Sequence, residues 1–229
     1  AVLSASLLVI VMDMTILNIA LPEMSAQLRP TATQQLWIID AYSLVLAGLL
    51  VSVAAIADRI GRKRMLMTGY AIFLVASLLV LLADTAESVI ALRVFLGVGG
   101  AMIMPNTLSL IRVIFTDAGQ RATALSIWAA VSGLGAAVGP FVGGFLLEHF
   151  SWHAAFLVNV PLMVFAIAAG LLILPESRVA DAGPWDARAA ALSLVGMVLV
   201  VWALKDFGKE ATFANPTALG AATELDALL

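Results

Sequence analysis

The chain has 229 residues, 62% of them hydrophobic and only 12% charged, with a mean hydropathy of +1.06 and a formal net charge of −3. An ordinary soluble domain carries about 25% charged residues, so a water-soluble globule is excluded, and so small a net charge gives no reason to expect nucleic acid as a partner. The absence of cysteine removes disulfides and thiolate chemistry, and the histidines His149 and His153 lack a third ligand, so no metal is expected.

Apolar runs of the roughly 20 residues needed to cross a bilayer recur at 2–21, 36–56, 65–83, 88–114, 122–147, 154–174 and 189–205. They predict an all-α membrane protein. The first run has no basic leader and no cleavage pattern, so it reads as a span rather than a signal peptide. It contains Asp13, about eight residues before Pro22 and hence roughly 12 Å inside the outer end at helical rise. An ionisable side chain at that depth costs about 2.5 to 3.5 kcal/mol on insertion scales, so it calls for a role. Two roles suit it: a proton carrier, or one half of a buried ion pair with Arg93. The second run opens with "QQLWIID", which places Asp40 near the outer interface as a site acid or as a solvated helix-end carboxylate.

The second and third runs are joined by "ADRIGRKRML", too short for a domain. Its bases serve as a cytoplasmic anchor, but that role does not call for Asp58 or Gly61, so a latch built from Asp58 and an arginine or a helix N-terminus is expected there. The fourth run carries Arg93 a few residues from its start, close enough to snorkel to the headgroups or to turn inward toward a carboxylate. Charges of both signs facing one interior suit a proton relay.

The fifth run contains "GAAVGPFVGG". It has no lysine for a phosphate loop and misses the dinucleotide glycine spacing. On a helix, Gly135, Gly139 and Gly143 form one bare stripe for close helix approach, and Pro140 deprives the Ala136 carbonyl of its donor. The stripe reads as a surface for sliding or as a tight static contact, and its partner is expected in a portion of the protein outside this chain. Trp37, Tyr42 and Trp152 lie near outer ends of runs and read as an aromatic belt.

Arg59, Arg62, Lys63, Arg64, Arg112, Arg121, Arg178 and Arg188 fall in even-to-odd joints, against Arg29, Lys205 and Lys209 on the other side. The basic joints, and the N-terminus with them, are therefore expected in the cytoplasm. The expected division is a six-helix bundle over 1–174, a cytoplasmic linker over 175–188, a further membrane helix over 189–206 and a tail or incomplete helix over 207–229. A bundle that stops after an odd span reads as a piece of a longer protein, a truncated form or a natural half-protein. Ser109, Ser126 and Ser132 have no histidine or lysine base at membrane depth, so no enzyme is expected.

Taken together, these motifs resemble the major facilitator superfamily, in its fourteen-span drug:proton antiporter branch. Ile56 to Lys63, "IADRIGRK", is similar to the first signature, G-x-L-A-D-R-x-G-R-K, with Ala54 at its glycine position. Arg93 to Ala101 is similar to R-x-x-Q-G-x-G-A-A, with Leu96 where glutamine is usual. Gly135 to Gly144 fits the antiporter signature G-x-x-x-G-P-x-x-G-G in full, through Gly135, Gly139, Pro140, Gly143 and Gly144. Asp13 to Pro22 resembles D-x-T-x-x-N-x-A-L-P of that branch, and "WIIDAYSL" and "WHAAFLVNVP" are of the type found there.

The resemblance implies the six-helix N-terminal bundle of the major facilitator fold plus about one linking transmembrane helix, in the plasma membrane. It implies a multidrug antiporter that exports hydrophobic, cationic compounds in exchange for protons, needs no cofactor beyond the proton gradient and works with a C-terminal bundle absent here. It gives Asp13, Asp40 and Arg93 roles in proton coupling and substrate recognition, and Asp58, Arg59, Gly61 and Arg62 roles in a cytoplasmic gate. A non-transporting interaction or regulatory half-protein and a proton:nutrient symporter are the alternatives. The antiporter-type fifth run argues against the symporter.

Overall fold

The computed structural model describes residues 2–178 and, beyond them, Arg188, Ala191, Leu192, Val195, Gly196 and Leu199, which are helical. The chain divides into two compact units, Ala1–Asp186 and Ala187–Leu229. The expected helix at 189–206 and the tail at 207–229 lie largely or wholly outside the described residues.

The first unit is built from α1 (Val2–Leu28), α2 (Ala32–Ile60), α3 (Arg62–Leu79), α4 (Ala86–Ile114), α5 (Ala118–His149), α6 (Ala154–Leu157) and α7 (Asn159–Ile173), with a 3-10 turn at Val80–Leu82. Taking α3 with its 3-10 turn and α6 with α7, six of these helical segments are long and apolar enough to cross a membrane. Helices suit this composition because lipid offers no partner for a free backbone N–H or C=O, and a helix satisfies both internally.

The helices outrun the apolar runs because polar residues just beyond those runs cap them. Thr31 accepts from the Gln34 amide at 3.3 Å while Gln34 Oε1 accepts from the Thr31 amide at 2.8 Å, so α2 starts at Ala32. Thr85 with Ser88, and Asp117 with the Gln120 amide, start α4 and α5 in the same manner. Pro22 was expected to mark the outer end of the first span, yet α1 continues through it to Leu28. The last turns of α1 are retained because Glu23 and Gln27 bond Trp152 across the bundle. The break between α6 and α7 follows from Pro161, which has no N–H for the Leu157 carbonyl.

Short joints make successive helices run in opposite directions. α1 packs against α5, α4 and α7, while α4 packs against α2 and α3. The core is apolar, with a few polar contacts between helices: the Ser6 and Tyr70 hydroxyls bond one another, and Trp128 Nε1 donates to Thr107 Oγ1 at 3.2 Å.

Candidate functional site

Asp13 sits near the middle of α1, roughly 16 Å from its first residue and roughly 22 Å from its last at 1.5 Å per residue. It is 2% exposed. Of the two options left open for Arg93, snorkelling is not taken. The residue is 1% exposed and turns inward, where Nη1 donates to Asp13 Oδ2 at 2.7 Å. Its Nε donates to the Ile38 carbonyl on α2 at 3.1 Å, and its guanidinium carbon lies 4.5 Å from the centre of the Tyr42 ring. Asp13 Oδ1 accepts from Nδ2 of Asn159, the first residue of α7, at 2.8 Å.

Both carboxylate oxygens are therefore held by donors from two other helices. Burying two charges costs several kcal/mol for each ion, and close hydrogen-bonded geometry of this kind offsets it. The sequence makes the approach possible. A side chain at Gly97, one turn beyond Arg93, would place its Cβ 2.8 Å from the Tyr42 carbonyl, so α2 and α4 meet at backbone contact there. Leu96, at the usual glutamine position, is fully buried, and the Ile38 carbonyl serves the guanidinium instead. Asp40 lies half-buried on α2, between Ile38 and Tyr42 in the chain.

Asp58, Arg59, Gly61 and Arg62, expected to form a gate, gather at the opposite end from Trp152, where the basic residues of the bundle collect. Asp58 Oδ1 accepts from Arg62 Nε at 2.9 Å and from Nη2 at 2.8 Å across the turn between α2 and α3. Gly61 forms that turn at φ 121° and ψ 129°, a conformation essentially confined to glycine. Arg59 is half-buried in the last turn of α2. A residue that sequence reasoning missed, Glu176, completes the cluster. Its Oε1 accepts from the Lys63 amide at 3.1 Å, its Oε2 lies 3.7 Å from Arg64 Nε, and the Ser177 carbonyl accepts from the Arg62 amide at 2.9 Å. A carboxylate at the start of α3 meets the positive end of the helix dipole, which ties the segment after α7 to the α2–α3 turn.

The glycine stripe does not wait for a partner outside this chain. Gly135, Gly139 and Gly143 are the buried residues of α5, and they face α1. A Cβ at Gly135 would stand 3.0 Å from the Leu8 carbonyl, one at Gly139 would fall on Thr15 Oγ1 and lie 3.3 Å from the Met12 carbonyl, and one at Gly143 would touch Ile16 and Ile19 at an ordinary 3.5 Å. Gly144 has open space around it. Pro140 is exposed within α5, which continues through it.

The aromatic belt also needs correction. Trp152 is 0% exposed, its amide donates to Glu23 Oε1 at 3.2 Å and its Nε1 donates to Gln27 Oε1 at 3.0 Å. It anchors the loop before α6 to α1. Tyr42 is likewise buried, under Arg93. Apolar surroundings with one polar handle satisfy these residues inside the bundle as well as they would at the headgroups.

Asn159, also missed from sequence, could have been found as an uncharged polar residue placed two positions before a proline in an apolar run. Glu176 offered a weaker signal, the first acid after the sixth run.

The profile described as Major Facilitator Superfamily matches residues 3–223. The chain is 50% identical over 205 residues to "Multidrug efflux pump LfrA" of Mycolicibacterium smegmatis, covering 90% of this chain and 41% of that protein. It is 41% identical over 196 residues to "Methyl viologen resistance protein SmvA" of Salmonella typhimurium, covering 86% and 40%. The chain thus spans about two fifths of the length of these curated relatives. A crystal structure of the peptide transporter POT with alafosfalin superposes with a TM-score of 0.68 at 18% identity, covering 89% of this chain and 45% of that one, a likeness of fold alone.

Proposed function

The chain belongs to the Major Facilitator Superfamily, and on that premise we propose that it is the N-terminal part of a proton-coupled multidrug efflux antiporter. The whole protein exports hydrophobic, cationic compounds in exchange for protons, from a plasma membrane with the basic end of the bundle in the cytoplasm. The observation that carries this reading is the Asp13–Arg93 pair, a carboxylate and a guanidinium buried together in the middle of a membrane bundle. The names of the relatives, an efflux pump and a methyl viologen resistance protein, support the direction of transport and the class of substrate.

In this arrangement Asp13 is closed to a drug-sized molecule, since each of its oxygens is already bonded. Its part is to carry the proton, and Arg93 is the counter-ion that stabilises it while ionised. Asp40, half-buried on the adjacent turn of α2, is the acid better placed to meet a cationic substrate. Exchange follows if protonation of Asp13 releases Arg93 and with it the contact between α1 and α4, so that proton and drug occupy the protein in alternation. The driving force is the proton gradient, with no cofactor.

The test is drug-dependent proton release from proteoliposomes of the full-length protein. Asp13→Asn abolishes the release while leaving drug binding measurable, and Asp40→Asn weakens binding of cationic drugs more than of neutral ones. Proton release and resistance that both survive Asp13→Asn would overturn the assignment.

A further inference from the structure

Asn159 is 0% exposed and uses only half of its amide. Nδ2 donates to Asp13 Oδ1, while Oδ1 of the same amide is buried with no hydrogen-bond partner. A buried acceptor without a partner is costly, and more so in a membrane interior. The orientation is fixed by the carboxylate. Turning the amide over would set two acceptors against each other, so the ionised acid admits only the Nδ2 face.

The groups around the acid restrict where a proton can go. α4 presents Arg93 to Oδ2, α2 presents Tyr42 to Arg93 and the Ile38 carbonyl to its Nε, α5 lays its glycines along this part of α1, and α7 presents Asn159 to Oδ1. With Oδ2 held on a guanidinium that has only donors to offer, Oδ1 is the oxygen free to become a hydroxyl. A hydroxyl there needs an acceptor, and the acceptor within reach is the idle Oδ1 of Asn159, brought round by a half-turn of the amide.

From this geometry we infer that Asn159 is the positioning residue for the proton of Asp13, its amide donating to the ionised acid and rotating to accept from the protonated one. The inference rests on the proposed role of Asp13 in proton exchange and adds the atom that receives the proton, Asp13 Oδ1, and the group that senses it. The proton binds one carboxylate oxygen and no other covalent bond is made or broken; Arg93 stays charged, and its hold on Oδ2 loosens once the acid is neutral. Because Asn159 opens α7 beside Val158, where Pro161 leaves the Leu157 carbonyl without its N–H donor, the change in the amide is delivered to the first residue of a helix.

The experiment is infrared difference spectroscopy of the reconstituted full-length protein through a pH titration, with asparagine carrying a ¹³C side-chain carbonyl. The carboxyl band of protonated Asp13, identified by its loss in Asp13→Asn, is expected to rise together with a shift of a labelled amide band, and both disappear in that variant. Asn159→Leu, similar in size and without hydrogen-bonding groups, should move the midpoint of the carboxyl band by about one pH unit to the alkaline side, tenfold in proton affinity, since the ionised form loses the stronger bond. Asn159→Gln restores part of that displacement. A carboxyl band that titrates with no labelled amide shift, or with a midpoint indifferent to Asn159→Leu, overturns this inference and leaves proton exchange at Asp13 standing. The absence of any titrating Asp13 band overturns both. Should Asn159→Leu fail to fold, the labelled band in the unaltered protein decides alone.

Discussion

Gly139→Ala is the substitution whose consequence can be worked out most fully. Its Cβ would land on Thr15 Oγ1, 3.0 Å from Thr15 Cβ and 3.3 Å from the Met12 carbonyl. The hydroxyl has to turn away from its carbonyl partners on α1, and the Cβ of Thr15 and the backbone of α1 cannot move aside, so the helices must also separate by a few tenths of an ångström. Forcing a methyl into a packed contact costs about 1 to 3 kcal/mol, and replacing glycine by alanine inside a helix returns about 0.5 to 1 kcal/mol. The net loss is about 1 to 2 kcal/mol, read as a lowered Tm. Gly143→Ala meets only 3.5 Å contacts with Ile16 and Ile19, so it keeps the helix gain and leaves Tm level or slightly higher. Thr15→Ala, whose hydroxyl bonds only carbonyls of its own helix at 3.0 and 3.3 Å, should be nearly neutral alone and should recover part of the loss in the double variant. Thermal unfolding of the purified full-length protein in detergent reads all four. Equal shifts for Gly139→Ala and Gly143→Ala, or no recovery with Thr15→Ala, would refute close packing of this stripe on α1.

Substitutions at three further positions probe the ends of the bundle by the same thermal assay. Gly61→Ala combines a backbone conformation costing a side chain about 1 to 3 kcal/mol with a Cβ 2.5 Å from Glu176 Oε1, and Glu176→Ala should relieve the second part only. Glu176→Gln keeps an acceptor for the Lys63 amide and loses the exposed pair with Arg64 and the negative charge at the start of α3, so it should cost about 1 kcal/mol. At the other end, Trp152→Phe removes the bond to Gln27 and should cost about 1 kcal/mol, whereas Trp152→Ala empties a fully buried site and should cost about 3 to 5 kcal/mol. An interfacial tryptophan would show neither the size nor the order of these effects.

The spans were legible because lipid imposes one rule on every residue in them, and a run of apolar side chains states that rule directly. Their ends were not, because Thr31, Thr85 and Asp117 act through local hydrogen bonds with the residue three positions on, which hydropathy does not register. Asp13 and Arg93 were legible as costs at membrane depth, and their pairing was open because a charge on a helix can turn to either of two faces. Gly97, which admits α2 to backbone contact, helped settle the turn. Asn159 went unread because an amide is cheap enough to bury that its presence in an apolar run raises no alarm. Trp152 was misread because proximity to a helix end was taken for exposure, when Glu23 and Gln27 sat on the neighbouring helix to receive it.

The Asp13 site and the glycine stripe occupy the same turn of α1. Met12, whose carbonyl faces Gly139, precedes Asp13, whose carboxylate faces Arg93 and Asn159; Thr15, over Gly139, follows two residues later. One side of this turn is thus held by short polar bonds to α4 and α7, and the other lies on a surface with no side chains to interlock. Displacing α1 along α5 meets the least steric resistance at Gly143 and the most at Gly139, and any such displacement carries Asp13 with it. The bonds that oppose it are those to Arg93 and Asn159, whose strength depends on whether Asp13 holds a proton. A substitution at Gly139 and one at Asn159 should therefore interact in a double-variant cycle although their side chains lie on opposite sides of α1, and additivity of their effects on exchange would show that the two faces act independently.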